Sequence, residues 1–150
     1  MLDTKCIYNG HLISMYEPAI SFSNRAFRYG DSVFESIRLM KGKIMLLPLH
    51  IQRLTSLRMN IPGEFSTTNI EHLIYELIKE NTITTDARIR LTVFRNDGGF
   101  YTPETNDISF LIEVEKMEAV GYTLNQKGLW VDLYAEIKKP ISKISSIKTG

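Results

Sequence analysis

Two arginines in the middle of the chain, Arg88 and Arg90, have a spacing that could place both guanidinium groups on one ligand. Successive side chains of a strand point to opposite faces, so residues two apart share a face. A guanidinium group is planar and donates two parallel hydrogen bonds, which suits a carboxylate. The pair could therefore bind a substrate carboxylate, and a solvated strand face is an equally good interpretation of the same pattern.

A third arginine, Arg53, closes a stretch that begins at Asn24 and carries polar groups on several successive elements. The predicted elements are a polar turn at Ser23–Arg25, a strand at Ser32–Leu39, a tight turn at Gly42 and a second extended run at Ile44–Leu47. A helix is then predicted to begin at Pro48 and to end at Pro62-Gly63. Within the strand, Glu35 falls on one face and Arg38 on the other. One face of this strand is therefore expected to meet a polar site, because sites are built where rigid elements converge.

The rest of the sequence predicts a hairpin, a second helix and further strands. Asn9-Gly10 is a strong hairpin signal, and Thr68 and Glu71 have the spacing of a helix-capping box. The helix that follows is expected to pack by one apolar face and to stop at Asn81. The other predicted strands are Arg88–Arg95, a run from Ile108 to Val114, and Trp130–Tyr134. Two helices among about six strands predict one α+β domain.

Two motifs in this part of the chain resemble a known family. Tyr29–Glu35 fits aromatic-Gly-Asp-x-Val-Phe-Glu, and His50–Leu54 fits His-x-x-Arg-Leu. Together, at this spacing, they are similar to the class IV aminotransferases. That group of pyridoxal-phosphate enzymes includes branched-chain aminotransferases, D-amino acid aminotransferases and 4-amino-4-deoxychorismate lyases. The resemblance runs from Ile7 to Lys148. It implies the N-terminal small domain of the D-amino acid/branched-chain aminotransferase-like fold, with a mixed sheet and two main helices.

The resemblance also implies how the chain is divided. Residues 1–135 would form the N-terminal α+β domain, and residues 136–150 would be the connector to a C-terminal domain. In the family that second domain supplies the acidic partner of the pyridine nitrogen and backbone amides for the phosphate. The 150-residue chain is therefore expected to hold half a pocket and to be inactive alone, either as a fragment or as an incomplete sequence.

Two residues are assigned to the cofactor, pyridoxal 5'-phosphate, by the resemblance. It places Arg53 on the phosphate, although an arginine on a helix often does no more than face solvent. It makes Lys148 the catalytic residue that binds the cofactor aldehyde, which requires an amine whose pKa is lowered by burial or nearby cations. From composition alone Lys148 is one more lysine in a basic tail, and only the resemblance singles it out.

Several side chains are expected at the substrate. The resemblance implies that Tyr29 and Phe34 wall the pocket, with ordinary packing an open alternative for Phe34. Arg90 matches a family arginine near the substrate carboxylate. Arg88 stands where tyrosine is expected in branched-chain enzymes. A second cation suits a dicarboxylate or a chorismate-like substrate better than an apolar one.

Two aromatic residues, Phe100 and Tyr101, follow Gly98-Gly99 and resemble the family loop that reaches toward a neighbouring subunit's pocket. Tyr101 is accordingly a further candidate for substrate binding. Burial of an apolar side chain at an interface is worth about 1.5–3 kcal/mol, so aromatics on a flexible tip favour association. A homodimer is therefore expected.

The composition is that of an ordinary soluble domain, with 43% hydrophobic and 23% charged residues and a net charge of +1. Such a charge gives no basis for binding nucleic acid or a membrane surface. A single cysteine, Cys6, and the lack of a signal-peptide pattern predict a cytoplasmic protein. The three histidines lack metal-ligand spacing, so no metal is expected.

The function expected from the resemblance is an aminotransferase that moves an amino group between an amino acid and a 2-oxo acid. An alternative within the family is 4-amino-4-deoxychorismate lyase, which gives 4-aminobenzoate and pyruvate. The aminotransferase is preferred because the lyase is the narrower activity in the family. An alternative of another class is a non-catalytic binding or assembly domain, since the chain forms an α+β unit without the second domain.

Overall fold

Six strands form one antiparallel sheet in the computed structural model, which describes residues 4–17, 20–56, 59–63, 65–118, 124, 126–133 and 135–136. The strands are β1 (Lys5–Tyr8), β2 (His11–Ser14), β3 (Ser32–Met40), β4 (Lys43–Ile44), β5 (Ala87–Arg95) and β6 (Ile108–Lys116). They lie in the order β2-β1-β6-β5-β3-β4. The α+β class is confirmed. The expected mixed sheet is corrected, because every described strand pair is antiparallel.

Two helices cover one face of this sheet, and a short third helix precedes β3. The helices are α1 (Arg25–Tyr29), α2 (Leu47–Thr55) and α3 (Thr67–Glu80). The core lies between the sheet and the two longer helices, and its most completely buried apolar side chains are Ile7, Ile37, Leu54, Ile70, Ile74, Leu77, Ile89, Leu91, Val93 and Ile112. Alternation along the strands sends the other half of their side chains to the opposite face. That face carries Phe34, Ser36, Arg88 and Arg90.

The predicted hairpin is confirmed. β1 pairs with β2 in a register that sets Tyr8 opposite His11, so Asn9 and Gly10 form the two-residue turn. Both have positive φ, 48° for Asn9 and 83° for Gly10. Such a turn matches the twist of the flanking strands, which is why Asn-Gly marks it in a sequence.

The second long helix begins one residue before the predicted capping box. Its N-cap is Ser66, whose hydroxyl accepts a hydrogen bond from the amide of Asn69 at 3.2 Å. Serine is as good an N-cap as threonine, and Ser66 itself has the extended backbone that a cap requires. The helix ends at Glu80 with Asn81 as its C-cap, so the predicted stop at Asn81 is confirmed, and the apolar stripe is buried.

The predicted polar turn, Ser23–Arg25, leads directly into a five-residue helix, Arg25–Tyr29, that the sequence did not predict. Asn24 caps it by accepting a hydrogen bond from the amide of Ala26 at 2.8 Å. Gly30, at φ 63°, ends it in the left-handed conformation. A helix this short is unstable in isolation and has no apolar periodicity, so only contacts from elsewhere in the fold reveal it.

Three other expectations about the elements were wrong: one strand and one helix are shorter than predicted, and one predicted strand does not form in the described residues. The run Ile44–Leu47 forms strand only at its start, because Leu46 adopts φ 55° and turns the chain into α2. That helix ends at Thr55, ahead of Pro62-Gly63. No strand forms over residues 130–133, whose side chains are exposed and lack a partner sheet edge in the described residues; Tyr134 lies outside them.

The predicted connector, residues 136–150, lies outside the described residues except for Glu136. None of the helices in the described part of the chain is long and apolar enough to cross a membrane. The same residues contain no group of three or more His, Cys, Asp or Glu side chains that could hold a metal ion.

Candidate active site

A buried carboxylate, Glu35, lies on the helix-covered face of the sheet. β3 alternates, so Val33, Glu35 and Ile37 all point toward the core beneath α2. Glu35 is only 1% exposed. A buried carboxylate is costly unless it is paired and hydrogen-bonded, so its partners decide what it does.

The partners of Glu35 come from α2. Arg53 donates from Nε to Oε1 and from Nη2 to Oε2, which is the two-pronged geometry of an arginine–carboxylate pair. His50 Nδ1 lies 2.7 Å from Oε2. An ionised carboxylate only accepts hydrogen bonds, so this ring nitrogen must carry the hydrogen. The spacing of three residues along the helix brings His50 and Arg53 onto the same side.

Electrostatics favour the ionised form of this cluster. Burial alone raises the pKa of Glu35, but the hydrogen bonds and charges of Arg53 and His50 outweigh it and leave the pKa below its usual value. The hydrogen bond to Glu35 raises the pKa of Arg53 in turn. Glu35 and Arg53 therefore form a charged pair at neutral pH.

The ion pair with Glu35 fixes Arg53 but occupies only two of its three guanidinium nitrogens. Its side chain is 35% exposed, and Nη1 makes no hydrogen bond within the described residues. One edge of the guanidinium is thus fixed by Glu35, and the other edge remains available to an anion outside the core. The donor set fits an oxygen-rich dianion such as a phosphate.

A second cluster lies on the opposite face of the sheet. The guanidinium carbon of Arg90 lies 3.7 Å from the centre of the Phe34 ring, close enough for a cation–π interaction. Arg88 forms an ion pair with Glu115 across β5 and β6, where both side chains are largely exposed. Exposed pairs of this kind contribute little to stability, so Arg88 remains exchangeable with a ligand carboxylate.

These two arginines line one cavity of about 370 Å³. Its walls are formed by Met15, Ser36, Arg88, Arg90, Glu113, Val114 and Glu115. Two cations and two anions make the lining balanced in charge. The shared strand face expected for Arg88 and Arg90 is therefore present, and its anionic neighbours, which follow from strand register, were not foreseen.

A third cluster lies at the end of the sheet where β3 begins. Tyr29, at the end of α1, has its ring centre 5.9 Å from that of Tyr101 in the loop after β5. Tyr101 is 92% exposed, and Phe100 beside it is also exposed. Two aromatic side chains that touch each other and face outward could form a wall for a bound molecule.

The candidate residues thus occupy distinct places on the domain. Arg88, Arg90 and Phe34 come together, and Tyr29 contacts Tyr101. Arg53 lies on the other side of the sheet. Lys148 lies outside the described residues.

Sequence reasoning singled out Arg53 but missed its partners. His50 was considered as the first residue of the His-x-x-Arg-Leu motif and as a histidine without metal-ligand spacing, and in the structure it contacts the buried carboxylate. Glu35 was seen only as a charge on an otherwise apolar strand face. That charge was the available signal: an acid among core positions needs a cation, and the following helix offers one.

Comparison with known proteins identifies the family. Residues 32–150 match the family described as Amino-transferase class IV. The chain belongs to this family. It is similar to the D-alanine aminotransferase of Bacillus licheniformis, with 30% identity over 103 residues that cover 67% of this chain and 32% of that protein.

Two further class IV relatives show the range of the likeness. The aminodeoxychorismate lyase of Bacillus subtilis (strain 168) is 28% identical over 125 residues, which cover 80% of this chain and 43% of that protein. The solved structure of the T.th. branched-chain amino acid aminotransferase with pyridoxamine 5'-phosphate has a TM-score of 0.66 and 26% identity, covering 77% of this chain and 41% of that one. The chain spans less than half the length of each of these relatives.

Proposed function

We propose that this chain is part of a pyridoxal-phosphate-dependent aminotransferase that moves an amino group between an amino acid and a 2-oxo acid. Membership of the class IV family supports this, as does the solved relative with pyridoxamine 5'-phosphate. The observation that carries the proposal is the pairing of Glu35 with Arg53. The family-motif arginine is held in one orientation with a donor edge left over.

The residues of this chain fit the cofactor. Arg53 would hold a phosphate oxygen through Nη1, while Glu35 keeps the guanidinium plane fixed. Lys148 would bind the aldehyde and carry the proton to and from the substrate α-carbon. When bound, the cofactor supplies the electron sink that makes this α-proton acidic.

The substrate carboxylates would bind in the cavity lined by Arg88 and Arg90, with the amino group directed toward the cofactor. Arg90, whose guanidinium carbon lies 3.7 Å from the centre of the Phe34 ring, would donate hydrogen bonds to a carboxylate in the cavity. Arg88 would take a second carboxylate by exchanging its exposed partner, Glu115. A dicarboxylic amino acid is therefore the preferred donor. Tyr29 and Tyr101 would wall the pocket at the end of the sheet.

Amino transfer in the full-length protein tests this proposal. Alanine, glutamate and branched-chain amino acids, in both D and L forms, are offered with 2-oxoglutarate or pyruvate, and the new amino acid is quantified. Arg53→Ala should weaken cofactor affinity at least about tenfold, because it removes a charge-assisted contact. Arg28→Ala, an exposed arginine on α1, is the matched control and should leave the affinity unchanged. Equal cofactor affinities in the two variants would show that Arg53 does not bind the cofactor.

A second candidate is 4-amino-4-deoxychorismate lyase. The observation that favours it is the Bacillus subtilis lyase, to which 80% of this chain aligns. Two arginines at the cavity also suit the two carboxylates of a chorismate-like substrate. Formation of 4-aminobenzoate from aminodeoxychorismate, with no amino transfer to any 2-oxo acid, would establish the lyase and overturn the aminotransferase.

Association and completeness form the last part of the proposal. The exposed aromatics Phe100 and Tyr101 support a homodimer in which this loop approaches the neighbouring subunit.

The 150-residue chain by itself would be inactive, because it spans less than half of its relatives. Assaying the piece beside the full-length protein checks this, and turnover by the piece at a comparable rate would contradict it.

A further inference from the structure

One arginine outside the described clusters, Arg25, fastens α1 to the loop that follows β5. It is only 3% exposed although it carries a permanent charge. Its Nη1 donates to three successive carbonyls, those of Gly98 at 3.1 Å, Gly99 at 3.3 Å and Phe100 at 2.6 Å. Three carbonyls that converge on one guanidinium nitrogen fix the path of the loop backbone there.

The same guanidinium is anchored by a carboxylate that also binds Arg95, the residue just before the loop. Asp31 Oδ2 accepts from Arg25 Nε at 2.9 Å and from Arg95 Nε at 3.0 Å. Arg95 Nη1 in turn donates to Asn106 Oδ1. Residues 96–107 are therefore connected to Asp31 only indirectly, near their start through Arg25 and near their end through Arg95.

Other contacts hold the loop in the same conformation. Asn24 Nδ2 donates to Asp97 Oδ1 at 2.6 Å, so the cap of α1 is also a loop contact. Gly99 has φ 72°, and a Cβ there would come within 2.2 Å of the Thr102 carbonyl oxygen. Only glycine fits this position, which shows that the loop is built for one shape.

This arrangement brings the two candidate wall residues into contact. The guanidinium carbon of Arg25 lies 5.0 Å from the centre of the Tyr29 ring, and Tyr101 follows directly after the last carbonyl that Arg25 binds. We infer that Arg25 is a positioning residue: it sets the loop so that Tyr101 stands against Tyr29 before substrate arrives. This rests on the proposed role of the two tyrosines at the substrate.

Substitution of Arg25 in the full-length protein tests the inference with two readouts. Arg25→Lys keeps the charge but offers one compact donor group where the guanidinium offers a fork. The first readout is chymotrypsin cleavage after Phe100 and Tyr101, followed by mass spectrometry, which needs neither cofactor nor activity. The second is steady-state kinetics of amino transfer. Arg28→Lys, in the same helix and exposed, is the matched control.

We expect Arg25→Lys to be cleaved about tenfold faster at these two sites and to raise KM about tenfold, with kcat within about twofold and cofactor affinity unchanged. Arg28→Lys should match the wild type in both readouts. Gly99→Ala disturbs the loop while leaving the Arg25 side chain itself unchanged. It should reproduce the pattern, and it replaces Arg25→Lys as the test if that variant does not fold.

Two results would overturn the inference. Cleavage at wild-type rate in both Arg25→Lys and Gly99→Ala would show that the loop does not depend on these contacts. Faster cleavage with an unchanged KM would show a loop anchor that does not act on the substrate. If the wild type transfers no amino group at all, the proposed function fails, and the cleavage readout separates that outcome from a failure of the loop contacts.

Discussion

Replacement of Glu35 by glutamine isolates the effect of one buried charge on the fold and on Arg53. Glutamine has the same shape, but its amide presents donors where Arg53 and His50 also donate. At least one of the hydrogen bonds to Oε1 or Oε2 must then be lost. The guanidinium loses both its counter-charge and the second prong that fixes its plane.

The size of the effect follows from burial. Breaking a buried ion pair costs about 3–5 kcal/mol when both partners are enclosed. Glu35 is enclosed, but Arg53 is 35% exposed and water can solvate part of it. We therefore expect the free energy of unfolding to fall by about 2–3 kcal/mol, close to the value of charged hydrogen bonds in general.

Two measurements on the full-length Glu35→Gln variant check this reasoning. Urea unfolding followed by circular dichroism gives the loss of stability, and titration with pyridoxal 5'-phosphate gives the cofactor Kd. The Kd should rise about tenfold, since a misaligned guanidinium forfeits about 1.4 kcal/mol or more. Glu115→Gln is the matched control, because it removes the exposed partner of Arg88 and should cost less than about 1 kcal/mol.

A Glu35→Gln protein that unfolds within about 0.5 kcal/mol of the wild type would refute the claim that this carboxylate is a stabilising counter-charge. An unchanged cofactor Kd would refute the claim that it orients Arg53. The two outcomes are independent.

Four further expectations follow from the same structure. Because folding lowers the pKa of Glu35, the ionised carboxylate contributes to the free energy of unfolding above about pH 4.3, and this contribution is lost as the pH falls. The free energies of unfolding of Glu35→Gln and wild type, measured in urea, should therefore converge on acidification. Leu77→Ala, fully buried in α3, should lower unfolding free energy by about 2–5 kcal/mol in the same assay. Arg90→Ala should raise KM for all amino donors, whereas Arg88→Ala should raise KM for dicarboxylic donors alone. If both variants raised KM for the same set of donors, the two arginines would not bind different carboxylates. Tyr101→Ser should weaken dimerisation in sedimentation at several concentrations, and a wild-type full-length protein that stays monomeric would contradict the dimer itself.

Much of the sheet could be predicted because its signals are local. The Asn9-Gly10 turn needs positive φ at both residues, and few other dipeptides supply it. Strands β3, β5 and β6 alternate apolar and polar residues because one face meets the helices. The buried stripe of α3 likewise follows from its own periodicity.

The parts that escaped prediction depend on contacts between distant residues. α1 exists because Arg25 binds carbonyls more than seventy positions away, and no pattern within the helix records that. Arg88 acquires Glu115 as a neighbour only through the register of β5 with β6. Glu35 could be noticed as a charge in an apolar face, but its partners on α2 could not be assigned without the fold.

The most direct test of the central claim is covalent trapping of the cofactor on the full-length protein. Pyridoxal 5'-phosphate is added in excess, and the absorbance near the visible edge is recorded before and after addition of borohydride. The protein is then digested, and the peptide masses are measured by mass spectrometry. We predict an absorption band that disappears on reduction, and a single labelled peptide that carries Lys148, with labelling weakened in Arg53→Ala and unchanged in Arg28→Ala. Absence of both the band and the label, or a label that persists in full when Lys148 is replaced by alanine, would contradict the account.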